Sequence, residues 1–294
     1  MELHQLRYLR SVVRAGSVTR AAELEHVAQP SVSKQLRALE RELGVPLFHR
    51  VGRRVVPTEA AYRLADCANR VIDDIAATTA AIAGPESAAA GHLRLCATET
   101  LSDHLLPPAL AALRQRFPHV HVSVEMLGTD DAVARLLDDA ADLALVVLPL
   151  ADSRLDIHSL LREDVLIALP PGHRWATLPS VALDDALREP DLLLSMPGHG
   201  LRAQVEREAQ ARGLSLDSPI ELRSQQALLA MVAAGAGITF APRMSVEHSR
   251  DVVPKPPEPN LTREVGWVRR KGRHLPPSAP VLIDLLTAGA ALQG

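Results

Sequence analysis

The sequence predicts a mixed α and α/β chain: a small basic head of short helices and a hairpin, then one long helix, then a larger α/β body. Three observations carry this. Residues 1–70 hold 12 Lys/Arg against 7 Asp/Glu while residues 71–294 hold 20 against 28, so a basic head precedes an acidic body within a net charge of −3. No Pro or Gly interrupts the stretch from Thr58 to Ala83. After Gly91 short apolar runs alternate with helical patterns, the order expected of a parallel sheet wound with helices.

Composition narrows the classes of function. A chain of 294 residues exceeds one typical domain, which favours a modular protein. No apolar run approaches the roughly 20 residues a bilayer span needs. Glu2, His4, Arg7 and Arg10 break up any secretory signal, so a cytoplasmic location is expected. The two cysteines, Cys67 and Cys96, fall in the long helix and in a strand that reads as buried. They support neither a disulfide framework nor a metal cluster, and both are expected to be packing residues. Aromatic residues make up only 2%, which weighs against single-strand binding by base stacking.

The head is well punctuated. A first helix from about Leu3 to Val13 carries Leu6, Leu9 and Val13 on one face and stops at Gly16. Ser17 offers a capping oxygen to a second helix, Val18 to Leu24, in which Ala21 and Ala22 permit close packing. A short turn from Glu25 to Ala28 leads to a third helix, Gln29 to Leu43, with Pro30 in its first turn. Val32, Leu36, Leu39 and Leu43 form its core stripe, while Pro30, Ser33, Lys34, Arg37 and Arg41 fall on the opposite side. A cationic face with short hydrogen-bonding groups suits a helix entering the major groove; an ordinary solvated face is the plainer alternative. Phe48 to Thr58 reads as a tight hairpin turning at Gly52 with arginines on both arms, a wing able to meet phosphates or the minor groove.

Three stretches carry a resemblance: Ala15 to Glu23, Val27 to Glu40 and Leu43 to Arg50 are similar at nearly every position to the DNA-binding domain of the LysR family. The resemblance implies a winged helix-turn-helix whose recognition helix reads operator DNA through Gln29, Pro30, Ser31, Ser33, Lys34 and Arg37, with Arg50, Arg53 and Arg54 in the wing. The chain departs from the family pattern at Ala28, where Ser or Thr is usual, at Leu24-Glu25, and at Ala61, where a glycine is common. None of these touches the cationic face.

Thr58 is a plausible cap for the long helix, and Leu64, Ala68, Val71, Ile75, Thr78 and Ile82 alternate spacings of four and three, as in a short coiled-coil seam. Pairing with a second copy or packing on the chain's own body would each bury that seam. In the family this is the dimer linker helix. Gly84-Pro85-Glu86-Ser87, the alanines after it and Gly91 read as a hinge.

In the body, strands are expected near 92–97, 119–126 and 142–147, with helices near 102–116 and 130–139. A second lobe takes strands near 164–170, 191–195, 219–222 and 237–241, with helices near 181–187, 201–213 and 225–235. A strand near Glu264–Val268 and a helix from about Ala279 close the chain. Leu105-Leu106-Pro107, Phe117-Pro118, Asp142 to Val146 and Val232 to Ile238 resemble the LysR effector domain. This implies a two-lobed, periplasmic-binding-protein-like fold with a ligand between the lobes. The organisation is then 1–58 winged helix-turn-helix, 59–90 linker helix and hinge, and 91–294 effector domain, with lobe I at about 91–162 and 269–294 and lobe II at about 163–268.

Ligands of such sheets sit at the carboxyl ends of strands, where helix N-termini collect anions. That geometry nominates Thr98, Glu99, Thr100 and Leu101 after the first strand and Thr129 after the second. His199 and Arg202 belong to the glycine-rich loop Pro197 to Arg202, with Arg202 placed for a bidentate anion contact. Routine capping and turn chemistry is the competing explanation for each loop. No metal-ligand spacing, phosphate-binding Gly-Lys-Ser/Thr loop or nucleophile elbow occurs, so neither catalysis nor a cofactor is expected. Two rivals to a ligand-responsive regulator are a thiol-based redox sensor and a non-regulatory ligand-binding module. The partners implied are double-stranded promoter DNA, a small polar or anionic metabolite, and a second copy of the chain, as homodimer and then tetramer. RNA polymerase is a further candidate, and no membrane is implied.

Overall fold

The structure is a computed structural model and describes residues 1–51, 54–83, 91–198, 200–247 and 249–291. It forms two compact units, Met1–Ser87 and Ala88–Gly294.

The first unit contains α1 (Leu3–Ala15), α2 (Val18–Leu24), α3 (Gln29–Leu43), β1 (Phe48–Val51), β2 (Arg54–Pro57) and α4 (Glu59–Ala83). Gly16 ends α1 in the left-handed region at φ 61°, and the Ser17 side chain accepts the Arg20 amide. Ala28 caps α3 with no side-chain bond, the consequence of its missing oxygen. Thr58 Oγ1 accepts the Ala61 amide at 3.2 Å and so starts α4. Leu9, Val12, Val32, Leu36, Leu39 and Leu47 pack with Ala21, Ala22, Ala61 and Ala65 in one buried cluster. Each fully buried large aliphatic contributes roughly 1.5–3 kcal/mol, so the head depends on this small set.

Two expectations change here. Leu43, assigned to the core stripe, is 40% exposed, because α3 ends beside it at Gly44. The division at residue 58 separates a helix from a core that it completes: Ala61 and Ala65 on α4 are part of the head's cluster. Farther along α4 the seam faces outward, with Val71 38% and Ile75 46% exposed. The side chain of Ile82 and residues 84–90 of the expected hinge lie outside the described residues.

The second unit opens with β3 (Gly91–Ala97), α5 (Glu99–His104), α6 (Leu106–Arg116), β4 (Val120–Met126), α7 (Thr129–Leu137) and β5 (Leu143–Leu148). There follow β6 (Leu155–Leu169), β7 (Val181–Ala182), α8 (Leu183–Leu187), β8 (Leu192–Ser195), α9 (Gly200–Ala211), β9 (Glu221–Leu222) and α10 (Gln225–Ala233). The chain closes with β10 (Ile238–Pro242), α11 (Arg243–Val246), β11 (Val253–Lys255), β12 (Pro257–Glu258), β13 (Leu261–Arg270) and α12 (Ser278–Ala290).

One sheet runs β4-β3-β5-β13-β6-β10-β8-β9, with β11 also beside β6. In lobe I, β4, β3 and β5 are parallel; Leu93, Leu95, Leu143 and Leu145 pack beneath α6 and α12 through Leu106, Leu113, Leu282 and Leu286. In lobe II, β10 and β8 are parallel, as are β8 and β9; Ile167, Leu192, Leu194, Ile238 and Phe240 pack against α9 through Leu201 and Val205. The lobes are joined by β6 and β13, which pair antiparallel from Leu155↔Arg270 to Leu261↔Val165.

Three readings are corrected here. The strand expected at 164–170 begins at Leu155, its first half being mixed in polarity, mostly half-buried or exposed, and paired along β13 rather than facing a single core. Glu264 to Val268 pair with β5, so the return into lobe I occurs near Glu264 and not at 269. The single helix expected at 102–116 is two, α5 and α6. Pro107 and Pro108 lack the amide protons that a continuous helix would need to bond Asp103 and His104.

Candidate DNA interface and effector cleft

On α3, Gln29, Pro30, Ser31, Lys34 and Arg37 are exposed and Ser33 is half-buried. The expected contact face is thus a real surface of the head. Gln29 Nε2 donates to Ser33 Oγ at 2.7 Å, and Arg37 Nε donates to the Ser33 carbonyl at 3.2 Å, so the face is partly ordered by its own bonds. The carboxylates of the same helix are directed elsewhere. Glu40 Oε1 accepts the amides of Leu47 and Phe48 at 2.9 and 3.2 Å, and Glu42 pairs with the Met1 α-amino group at 2.7 Å. Among the described residues Lys34, Arg37 and Arg41 have no carboxylate partner. The outer face of α3 therefore keeps its full positive charge, which is what attraction to a phosphate backbone requires. In the hairpin, β1 and β2 pair with Arg50 opposite Val55 and Val51 opposite Arg54; Arg53 lies outside the described residues.

The cleft of the second unit forms where β3, β5 and β8 deliver their carboxyl ends. Thr98, Glu99, Thr100, Gly128, Val147, Ser195, Leu201, Arg223, Gln225 and Arg263 line a cavity of about 40 Å³. Beside it, Glu99, Gly128, Asp131, Gly198, Arg223 and Ser224 are among the residues around a larger one of about 280 Å³. The lobes touch at this point: a Cβ on Gly128 would stand 2.9 Å from the Gly198 carbonyl oxygen, so only glycine tolerates the approach.

The nominated effector residues divide in four. Thr98, Glu99 and Thr100 are brought together in the cavity wall; Thr98 Oγ1 is buried without a hydrogen-bond partner among the described residues, and Thr100 Oγ1 accepts from Arg263 at 3.1 Å. Thr129 is buried beside the cleft, its Oγ1 accepting the Val147 amide at 3.4 Å. Leu101 and Arg202 are corrections. Leu101 is fully buried in the lobe I core, because the first turn of α5 carries its side chain inward. Arg202 donates to Glu206 at 2.6 Å, to Glu221 at 2.7 Å and to the Ser195 carbonyl at 3.1 Å, an internal ion-pair group in place of the expected anion contact. Burial alone would lower its pKa, but Glu221 and Glu206 outweigh burial and hold it above the ordinary value. His199 lies outside the described residues.

Sequence reasoning missed Arg263 and Arg223. Arg263 sits on β13 with its side chain 3% exposed and bonds Glu163 of β6 at 2.7 Å; Glu163 also accepts the Met244 amide at 3.0 Å. Burial pulls the Arg263 pKa down and Glu163 opposes the shift. The pair lies under the cleft, where the crossing strands pass between lobes. Arg223, just before the Ser224 cap of α10, is exposed at both cavities with no carboxylate partner among the described residues. Its signal was a lone arginine before a Ser-capped helix, too common to single out. Cys96, 1% exposed in β3, has its thiol pushed up to about 11, first by burial and then by Glu125.

A basic helix-turn-helix and a two-lobed body with a polar cleft together define a ligand-responsive DNA-binding regulator. The chain belongs to the LysR family: residues 3–62 match the bacterial regulatory helix-turn-helix protein model of that family, and residues 86–291 match the LysR substrate binding domain. Among curated relatives, the DNA-binding transcriptional dual regulator OxyR of Escherichia coli is 32% identical over 282 residues, 94% of this chain and 91% of that one. The RuBisCO operon transcriptional regulator of Allochromatium vinosum is 26% identical over 295 residues, 99% and 97% of the two chains. Among solved structures, a full-length OxyR variant from Pseudomonas aeruginosa superposes with a TM-score of 0.71 at 26% identity, covering 99% of this chain and 95% of that one. The protein is a LysR-type transcriptional regulator with a DNA-binding head and an effector-binding domain.

Proposed function

We propose that Gln29, Pro30, Ser31, Ser33, Lys34 and Arg37 meet operator DNA in the major groove while Arg50, Arg53 and Arg54 flank it from the wing. The observation that carries this reading is the exposed, unneutralised Lys34–Arg37 face, left cationic because Glu40 and Glu42 bond to other parts of the head. The exposed Val71 and Ile75 on α4 supply an apolar seam for a second copy, giving a homodimer in the cytoplasm that can assemble into a tetramer. A small polar or anionic metabolite binds between the lobes at Thr98, Glu99, Thr100 and Arg223, beside Thr129. It shifts the regulator between two arrangements that differ in how they present DNA to RNA polymerase. The reading includes neither catalysis nor a cofactor. Among the described residues no helix is long and apolar enough to cross a membrane.

The relatives named for hydrogen peroxide raise a thiol sensor as a second reading. One observation weighs against it: Cys96 is buried in β3 with a raised pKa.

Selection of genomic fragments by the purified protein tests the reading. Retained fragments are expected to share a dyad-related motif whose half-sites lie about one or two helical turns apart. Recovery of fragments with no common motif would remove it.

A further inference from the structure

Glu99 opens α5 on lobe I, and its side chain crosses to lobe II. One carboxylate oxygen accepts the Ser224 hydroxyl at 2.6 Å and the other accepts the Gln225 amide at 2.8 Å. Ser224 in turn caps α10 by accepting the Ala227 amide at 3.2 Å. Free amides and the helix dipole make such an N-terminus attractive to an anion. Here that position is already filled by a carboxylate of the chain itself.

The rest of the lining points to what the cleft can accept. Thr98 Oγ1 is buried in the smaller cavity without a hydrogen-bond partner among the described residues. Glu99 and Arg223 line both cavities, and Asp131 lines the larger one. The Arg263 charge is met by Glu163, so among the described lining residues Arg223 is the remaining guanidinium, beside two carboxylates, Glu99 and Asp131. A ligand that brings only negative charge meets more like charge than opposite charge here. A carboxylate oxygen that already accepts one hydrogen bond has a lone pair left for another donor.

We propose that Glu99 is a specificity-determining residue of the effector cleft. By occupying the anion position of α10 it excludes simple carboxylates, and the cleft takes an aminocarboxylate, with its cationic group toward Glu99 and its anionic group toward Arg223. This rests on the reading of the cleft as the effector site.

Full-length wild type, Glu99→Ala and Glu99→Gln are compared by hydrogen exchange at the Gln225 amide and by thermal melting, in sodium acetate against sodium chloride at matched ionic strength. In Glu99→Ala, Gln225 exchange rises about ten-fold and acetate restores its protection, whereas wild type does not respond to acetate. Glu99→Gln keeps the side-chain shape and reports the loss of charge if the alanine variant folds poorly. Each L-amino acid is then titrated into wild type beside its deaminated carboxylate. At least one amino acid raises the melting midpoint and its deaminated counterpart does not. The proposal is overturned if acetate protects wild type as well as Glu99→Ala, if acetate fails to protect Glu99→Ala, if deaminated acids bind wild type equally well, or if no amino acid binds. Failure of the cleft reading looks different: a ligand's shift then survives unchanged in Arg223→Ala and Thr98→Val.

Discussion

Glu40 of α3 accepts the backbone amide of Leu47 at 2.9 Å, and the same oxygen takes the Phe48 amide at 3.2 Å. One carboxylate thereby fastens the recognition helix to the first strand of the wing and is withdrawn from the cationic face. Glu40→Ala leaves two amides without their acceptor, at an expected cost of about 1–3 kcal/mol to the head, while Glu40→Gln retains an oxygen and loses less. Hydrogen exchange at Leu47 and Phe48 checks this. Unchanged protection in the alanine variant would mean that the bonds carry no weight.

Arg263 and Glu163 are nearly completely buried on the two crossing strands. Removing one partner strands the other's charge, so Arg263→Met is expected to destabilise the second unit by about 3–5 kcal/mol. Adding Glu163→Leu should recover a large part of that loss. Urea unfolding of Arg263→Met, Glu163→Leu and the double variant measures the coupling, and additive losses would contradict the pairing.

Asp164 is held below the ordinary carboxylate range by hydrogen bonds from Arg243 and then from Asn260. A depressed folded-state pKa stabilises fully above the unfolded value, about 3.9, and the contribution disappears as pH falls through the lower folded value. Arg243→Met is therefore expected to be less stable than wild type at pH 5 to 7, with the gap closing toward pH 2. A gap that widens on acidification would reverse the assignment.

Cys96 should resist alkylation in the native protein at pH 8 and react only after denaturation, since a thiol with a pKa of about 11 is almost wholly protonated there. Mass spectrometry after brief iodoacetamide treatment gives the answer. Rapid labelling of Cys96 would reopen a thiol-based response.

The head was legible in sequence because its signals are local. Gly16 and Gly44 adopt left-handed caps, Ser17 caps α2, and the spacing of Val32, Leu36 and Leu39 sets one buried face. The cleft was only half legible. Strand ends point to Thr98 to Thr100, which do line the cavity, but whether Arg202 is available depends on Glu221, which only the folded chain brings to it. Arg263 was missed because its partner Glu163 lies 100 residues away, at the middle of β6, just beyond the half that shows no simple alternation. The break between α5 and α6 was readable in Pro107-Pro108 and was overridden by the helical spacing around it.

The dependence of promoter affinity on salt concentration tests the central claim most directly, comparing wild type with Lys34→Glu and Arg37→Glu. Each substitution should weaken binding, and each cation that meets a phosphate should lower the magnitude of the log–log salt slope by about one. Equal affinity and an unchanged slope in both variants would contradict the account, because the exposed face of α3 would then not touch DNA.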